Sequence, residues 1–194
     1  MAEPPIAGRP SAEHLCLIGM MGSGKTTVGA ILAERLGRPH IDTDRQVCAA
    51  EGSSVAEIFA TVGEEGFREA EARLLAEDLA RSQPAVISVG GGAVLDPSSR
   101  WLLGRGGPVV WLRAAPETLA KRLGGPTGRP LLDPAPPADP APPADRGPLE
   151  ALQRIEEARR PVYAALADVT VDVDRLEPAE VAVEVLSALG IRTR

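Results

Sequence analysis

A chain of 194 residues with 44% hydrophobic and 25% charged residues can bury one core, which excludes a disordered chain and favours a single domain. A net charge of −6 and only 3% aromatic residues exclude non-specific binding to nucleic acid or anionic membranes, where a basic face and stacking rings supply the affinity. The two cysteines, Cys16 and Cys48, share no CxxC or ligand spacing, which excludes a disulfide scaffold and fits a reducing, cytoplasmic setting.

Residues 1–12 carry Glu3, Pro4, Pro5 and Pro10 without an apolar run, so a loose leader is expected rather than a signal peptide or membrane span, with residues 13–194 as one domain. His14 to Ile18 reads as a strand ending at Gly19. Val28 to Leu36 then has apolar residues at helical spacing and stops at Gly37. A brief strand precedes Asp42. Gly63 to Ser82 carries Phe67, Ala70, Leu74, Leu75 and Leu79 on one helical stripe. Strands follow at Ala85 to Val89 and Val109 to Leu112, then a helix at Leu149 to Leu166, a strand at Val169 to Val173 and a helix at Pro178 to Leu189. Strands alternating with helices imply right-handed crossovers and a five-stranded parallel sheet.

One stretch interrupts the alternation. Between Asp133 and Gly147 the hexapeptide Pro-Ala-Pro-Pro-Ala-Asp occurs twice, at 134–139 and 140–145, and holds six of the 19 prolines. Such chain is neither helix nor central strand. It reads as an insertion tolerated in a loop, because lengthening a loop adds little closure entropy.

Gly19-Met20-Met21-Gly22-Ser23-Gly24-Lys25-Thr26 satisfies GxxxxGK[ST] and lies after a strand and before a helix, as phosphate binding requires. Its glycines let backbone N–H groups turn toward phosphate oxygens. Lys25 can reach the β and γ phosphates, and the Thr26 hydroxyl can ligate Mg²⁺. Lys25 is also one of only two lysines beside 19 arginines. A GTPase would need a guanine-reading NKxD, and the chain has no Asn. These features point to an ATP user, a small kinase.

His40-Ile41-Asp42-Thr43-Asp44 reads as a short strand, and positions two apart on a strand share a face. Asp42 and Asp44 would then project together at the carboxyl edge of the sheet, to hold Mg²⁺ and orient an acceptor hydroxyl. The competing reading is helix capping, with Thr43 and Gln46 as a capping box and Asp44 as N-cap.

Five motifs in order make the chain similar to the shikimate kinases from about Leu15 to Leu189. After the glycine loop they are Asp42-Thr43-Asp44, Gly63-Glu64-Glu65-Gly66-Phe67-Arg68 with Glu69 and Glu71, Gly90-Gly91-Gly92, Arg129-Pro130-Leu131-Leu132, and Arg159-Arg160-Pro161-Val162-Tyr163. The resemblance implies an α/β, three-layer αβα P-loop fold like that of nucleoside monophosphate kinases. A substrate-binding helical region would span about 43–72, and a lid about 123–148 would carry the insertion. It also implies ATP-dependent phosphorylation of the shikimate 3-hydroxyl, a step of aromatic amino-acid synthesis. Separately, the chain is expected to be a monomer that engages small molecules and, from its charge, neither nucleic acid nor membrane.

Carried over by position, Gly22, Ser23, Gly24, Lys25, Thr26 and Thr27 would bind ATP, with Arg122 and Arg175 flanking the adenine. Asp44 would accept or orient the hydroxyl proton. Thr26, and Asp42 through water, would hold Mg²⁺. Arg68 and Arg159 would grip the carboxylate, and Gly90, Gly91 and Gly92 would line the acceptor pocket. Arg129 on the lid would meet the transferring phosphoryl, making Lys25, Asp44 and Arg129 the catalytic set. The roles suit the chemistry, since a guanidinium matches a carboxylate bidentately and glycines admit a ligand close to backbone.

Several alternatives stay open in the sequence. Arg68 could serve only i,i+4 pairs on an acidic helix. The carboxylate could fall to Arg160 instead of Arg159, and Arg122 and Arg175 could be solvated. No acidic residue ends the third strand, which reads Ile87-Ser88-Val89-Gly90. A kinase for another polyhydroxy acid such as gluconate, or a nucleotide-binding regulatory module without transfer activity, are the rival functions. Cys16 reads as core, Cys48 as an inert thiol, and His14 and His40 have no partner at ligand spacing.

Overall fold

The computed structural model describes residues 13–124 and 148–191. Five parallel strands form one sheet in the order β2-β3-β1-β4-β5. They are β1 (Leu15–Ile18), β2 (His40–Asp42), β3 (Val86–Ser88), β4 (Val109–Arg113) and β5 (Val169–Asp172). The central strand β1 pairs with β3 through Cys16 and Ile87 and with β4 through Cys16 and Val109. All four β1 residues are buried, the run of apolar residues expected of a strand covered on both faces. Each such Leu or Ile contributes about 1.5–3 kcal/mol by leaving water. Burial also pushes the Cys16 thiol up to about 12, so it is an inert core residue as expected.

The helices are α1 (Lys25–Leu36), α2 (Thr43–Glu51), α3 (Val55–Leu79), α4 (Pro97–Gly106), α5 (Pro116–Leu123), α6 (Pro148–Leu166) and α7 (Pro178–Ala188), with a 3₁₀ turn at Ala93–Leu95. α1 packs on α7 along one face of the sheet, and α3, α4 and α6 gather with the 3₁₀ turn against the other. The three-layer fold and the five parallel strands are therefore those expected. No helix among the described residues is long and apolar enough to cross a membrane.

Four departures have local causes. The strand ends at Asp42, and Thr43 and Asp44 already belong to α2. Its N-cap is Asp42, whose carboxylate accepts from the Arg45 N–H at 3.2 Å, which corrects the assignment of the cap to Asp44. The helix expected from Gly63 extends back to Val55 through a break at Gly63, where φ is 73°, and is opened by a capping box between Ser54 and Glu57. Helices α4 and α5 were not expected because they are short, yet each carries its start signal, Pro97 after the capping Asp96 and Pro116 at the first turn. The leader, the insertion 134–145, most of the lid and Arg129 lie outside the described residues.

His14, just before β1, is fully buried, and its Nδ1 accepts from the Ala85 N–H at 3.2 Å. Burial holds its pKa below the ordinary 6.5. The unfolded chain therefore takes up this proton first. Stability is complete above pH 6.5 and falls as the pH drops below it, by at most about 1.4 kcal/mol per pH unit for one such group. Urea midpoints measured from pH 7.5 to 5.5 should fall for the native chain, and the slope should flatten in His14→Gln.

Candidate active site

The glycine loop leaves β1 and delivers the chain into α1. Gly24 caps that helix with φ 96° and no side-chain cap, a conformation that favours glycine. The first helical N–H groups are thus left without a side-chain acceptor and open on a cleft of about 490 Å³ lined by Gly22, Ser23, Gly24, Lys25, Thr26 and Thr27. Lys25 Nζ donates to the carbonyls of Gly19 at 2.8 Å and Met20 at 3.1 Å. Burial lowers its pKa, and the carboxylates of Asp44 and Asp42 oppose that shift. Thr26 Oγ1 donates to Asp42 Oδ2 at 2.6 Å.

Asp42 and Asp44 both line this cleft, one from the end of β2 and the other from the first turn of α2. They meet as expected, though by a strand-to-helix junction and not by strand alternation. Hydroxyl and carboxylate oxygens at Thr26 and Asp42 are hard donors, the set that Mg²⁺ takes beside water and phosphate, so these residues fit that ion. Ser88 lines the cleft where an acidic residue often follows this strand, and its hydroxyl donates to the Lys25 carbonyl at 2.9 Å.

Arg122 stands at the far side of the cleft, donating to the carbonyls of Gly22 at 3.3 Å and Val173 at 2.8 Å. Val173, Leu176, Pro178 and Val181 complete an apolar wall there. Arg175 is exposed and is not among the residues lining the cleft.

The acceptor side is built around the triple glycine after β3. The Gly90 N–H donates to Thr43 Oγ1 at 2.8 Å, tying the strip to α2. A Cβ on Gly90 would run into Glu71 Oε1 and Asp44 Oδ1, and one on Gly92 would run into the Arg68 guanidinium. Arg159 Nη1 donates to the Gly91 carbonyl at 3.3 Å, and the buried Tyr163 hydroxyl reaches the same oxygen at 2.8 Å. Three helices therefore send Asp44, Arg68, Glu71 and Arg159 onto one bare backbone strip. Arg160 instead pairs with Glu156 at 2.6 Å, with 62% of its side chain exposed, so Arg159 is the arginine that faces the site.

Glu71 stands in a motif quoted from the sequence but is given no role there. It is 1% exposed, its Oε2 accepts from Arg68 Nη1 at 2.7 Å, and its Oε1 has no hydrogen-bond partner. Burial raises its pKa, and the neighbouring Arg68 opposes the rise. The signal was its i,i+3 spacing from Arg68, which also describes a surface pair. The buried Arg159 Nε likewise lacks a hydrogen-bond partner.

The fold agrees with what the chain is similar to. The family model for shikimate kinase matches residues 21–190. Shikimate kinase of Symbiobacterium thermophilum is 46% identical over 181 residues, covering 92% of this chain and 97% of that protein. Its counterpart in Moorella thermoacetica is 47% identical over 176 residues, covering 91% and 94%. The solved structure of shikimate kinase from Acinetobacter baumannii in complex with shikimate superposes with a TM-score of 0.81 at 31% identity, covering 92% of this chain and 93% of that one. With a family model spanning most of the chain and relatives this similar over more than nine-tenths of their length, the chain belongs to the shikimate kinase family.

Proposed function

We infer that the chain transfers the γ-phosphoryl of ATP to the 3-hydroxyl of shikimate, giving shikimate 3-phosphate and ADP in aromatic amino-acid synthesis. The observation that carries this reading is the convergence of Asp44, Arg68, Glu71 and Arg159 on the Gly90–Gly92 strip beside a phosphate-binding loop. Two guanidiniums over bare backbone suit a small ring acid, and a carboxylate at the loop suits its hydroxyl.

In this reading the first turn of α1 and the Lys25 ammonium hold the phosphates, with the apolar wall and Arg122 on the nucleoside. Arg68 and Arg159 hold the shikimate carboxylate and so aim the ring. Glu71 fixes Arg68 from beneath. Asp44 takes the 3-hydroxyl proton as that oxygen bonds to the γ-phosphorus, while the bond from phosphorus to the β–γ bridging oxygen breaks and ADP departs with the electron pair. Thr26 and Asp42 would hold Mg²⁺, which would supply neutralisation of the phosphate charge. Arg129, by the family motif, would meet the transferring group. Arg175 is left as a surface residue in this account.

ADP release from ATP with shikimate, with gluconate and with neither tests the assignment. A rate that depends on shikimate alone is expected, and its absence would overturn the reading. The family model and the relatives at 46% and 47% identity are shikimate kinases, which favours shikimate over gluconate and a kinase over a regulatory module. For Arg68→Ala, losing a charged hydrogen bond should raise the KM for shikimate by about 10- to 100-fold, with the KM for ATP little changed. An unchanged shikimate KM would refute the role of Arg68.

A further inference from the structure

Gly29 lies inside α1, where a glycine costs about 1 kcal/mol relative to alanine. A Cβ there would stand 2.6 Å from both His40 Nε2 and Ser88 Oγ. The missing methyl makes room for a connection. His40 Nε2 and Ser88 Oγ are 2.9 Å apart, and the Ser88 hydroxyl is 2.9 Å from the Lys25 carbonyl. Serine has one proton to give and a carbonyl only accepts, so Ser88 donates to Lys25 and accepts from His40. The histidine must then carry its proton on Nε2.

We propose that His40 and Ser88 are positioning residues, a two-bond relay that fastens the first turn of the phosphate-binding helix to β2 and β3 and thereby sets nucleotide affinity. The carbonyl it holds belongs to the Lys25–Thr26 peptide. That unit is planar and trans, so fixing its C=O on the sheet side directs the Thr26 N–H the opposite way, toward the mouth of the helix. The same turn is tied a second time, by Thr26 Oγ1 to Asp42. His40 and Asp42 are two apart on β2 and share a face, so one short strand supplies both ties. His40 and Ser88 bond to each other and to Lys25, and neither is among the groups that a Cβ on Gly90, Gly91 or Gly92 would meet first. The relay should therefore act on the nucleotide and leave shikimate alone.

The inference rests on the reading of Lys25 and Thr26 as the phosphate site. The test compares His40→Leu, Ser88→Ala, His40→Gln and Lys25→Met by calorimetric ADP binding and by steady-state kinetics, with circular dichroism to check folding. His40→Leu and Ser88→Ala should each weaken ADP and raise the KM for ATP by about 3- to 12-fold, the worth of one hydrogen bond, with the shikimate KM held within about twofold. His40→Gln keeps a donor at the same reach and should restore affinity. Unchanged nucleotide affinity in folded variants, an equal shift in shikimate KM, or failed rescue by glutamine would each overturn the relay. If His40→Leu does not fold, Ser88→Ala decides by the same measures. Should Lys25→Met leave ADP binding intact, the phosphate-site reading fails; loss there with no effect at His40 and Ser88 overturns the relay alone.

Discussion

Asp44→Asn should lower kcat by about 10²- to 10⁴-fold, the usual worth of a positioned general base, while ADP binds as before. The side chain keeps its size and loses only the ability to take a proton and to carry charge. Because Asp42 and not Asp44 caps α2, the substitution removes no helix cap. Fold and nucleotide site are therefore expected to survive. Rapid-quench or steady-state ADP release gives the rate, and calorimetry gives the affinity. Turnover within tenfold of the native chain would return Asp44 to a structural role. Asp42→Asn is the informative companion, since asparagine caps as well as aspartate. Any loss there reports on the Thr26 partner and on Mg²⁺ dependence.

The second large effect is expected from a single methyl group. Gly90→Ala places a carbon against Glu71 Oε1 and 2.5 Å from Asp44 Oδ1, in a region where Gly90 and Glu71 are both buried. One of the two carboxylates must move. A shift of about 1 Å in a reacting group costs on the order of 100-fold in rate, and overpacking a buried site costs about 1–3 kcal/mol of stability. Gly90→Ala should thus lose shikimate-dependent turnover by about two orders of magnitude and unfold at lower urea, with ADP binding retained. Gly104→Ala in α4 is the control, because a Cβ there meets nothing within 4 Å. It should leave turnover unchanged and stabilise the helix by a few tenths to about 1 kcal/mol. Equal behaviour of the two variants would show that the strip does not need its bareness.

Much of this was legible beforehand because it is local. The glycine loop announces itself by spacing, and the apolar runs of β1, β3 and β4 announce a sheet buried on both faces. The paired Asp42 and Asp44 were legible as a pair, but their geometry was not. Strand alternation and a strand-to-helix junction both bring side chains two residues apart to one edge, and the sequence does not say which occurs. Helices α4 and α5 escaped because a stretch of 8 to 10 residues gives few turns over which a period can show. Glu71 escaped for a different reason. An acidic residue three places after an arginine describes an exposed pair as well as a buried one, and only the closure of α3 over the glycine strip removes water from it.

The sequence by itself determined the α/β class, the phosphate loop with Lys25 and Thr26, and the ordered motifs that mark the family, since each depends on residues near one another in the chain. Tertiary structure alone decided which of two adjacent arginines faces the site, because one helical position turns Arg159 to Gly91 and Arg160 to Glu156. It also decided that Arg175 stays outside the cleft, that Glu71 is buried beneath Arg68, and that His40, Ser88 and Gly29 meet at the foot of the phosphate helix. Those facts depend on how helices and strands far apart in the chain pack together, and packing sets direction and burial, which spacing along a chain does not contain.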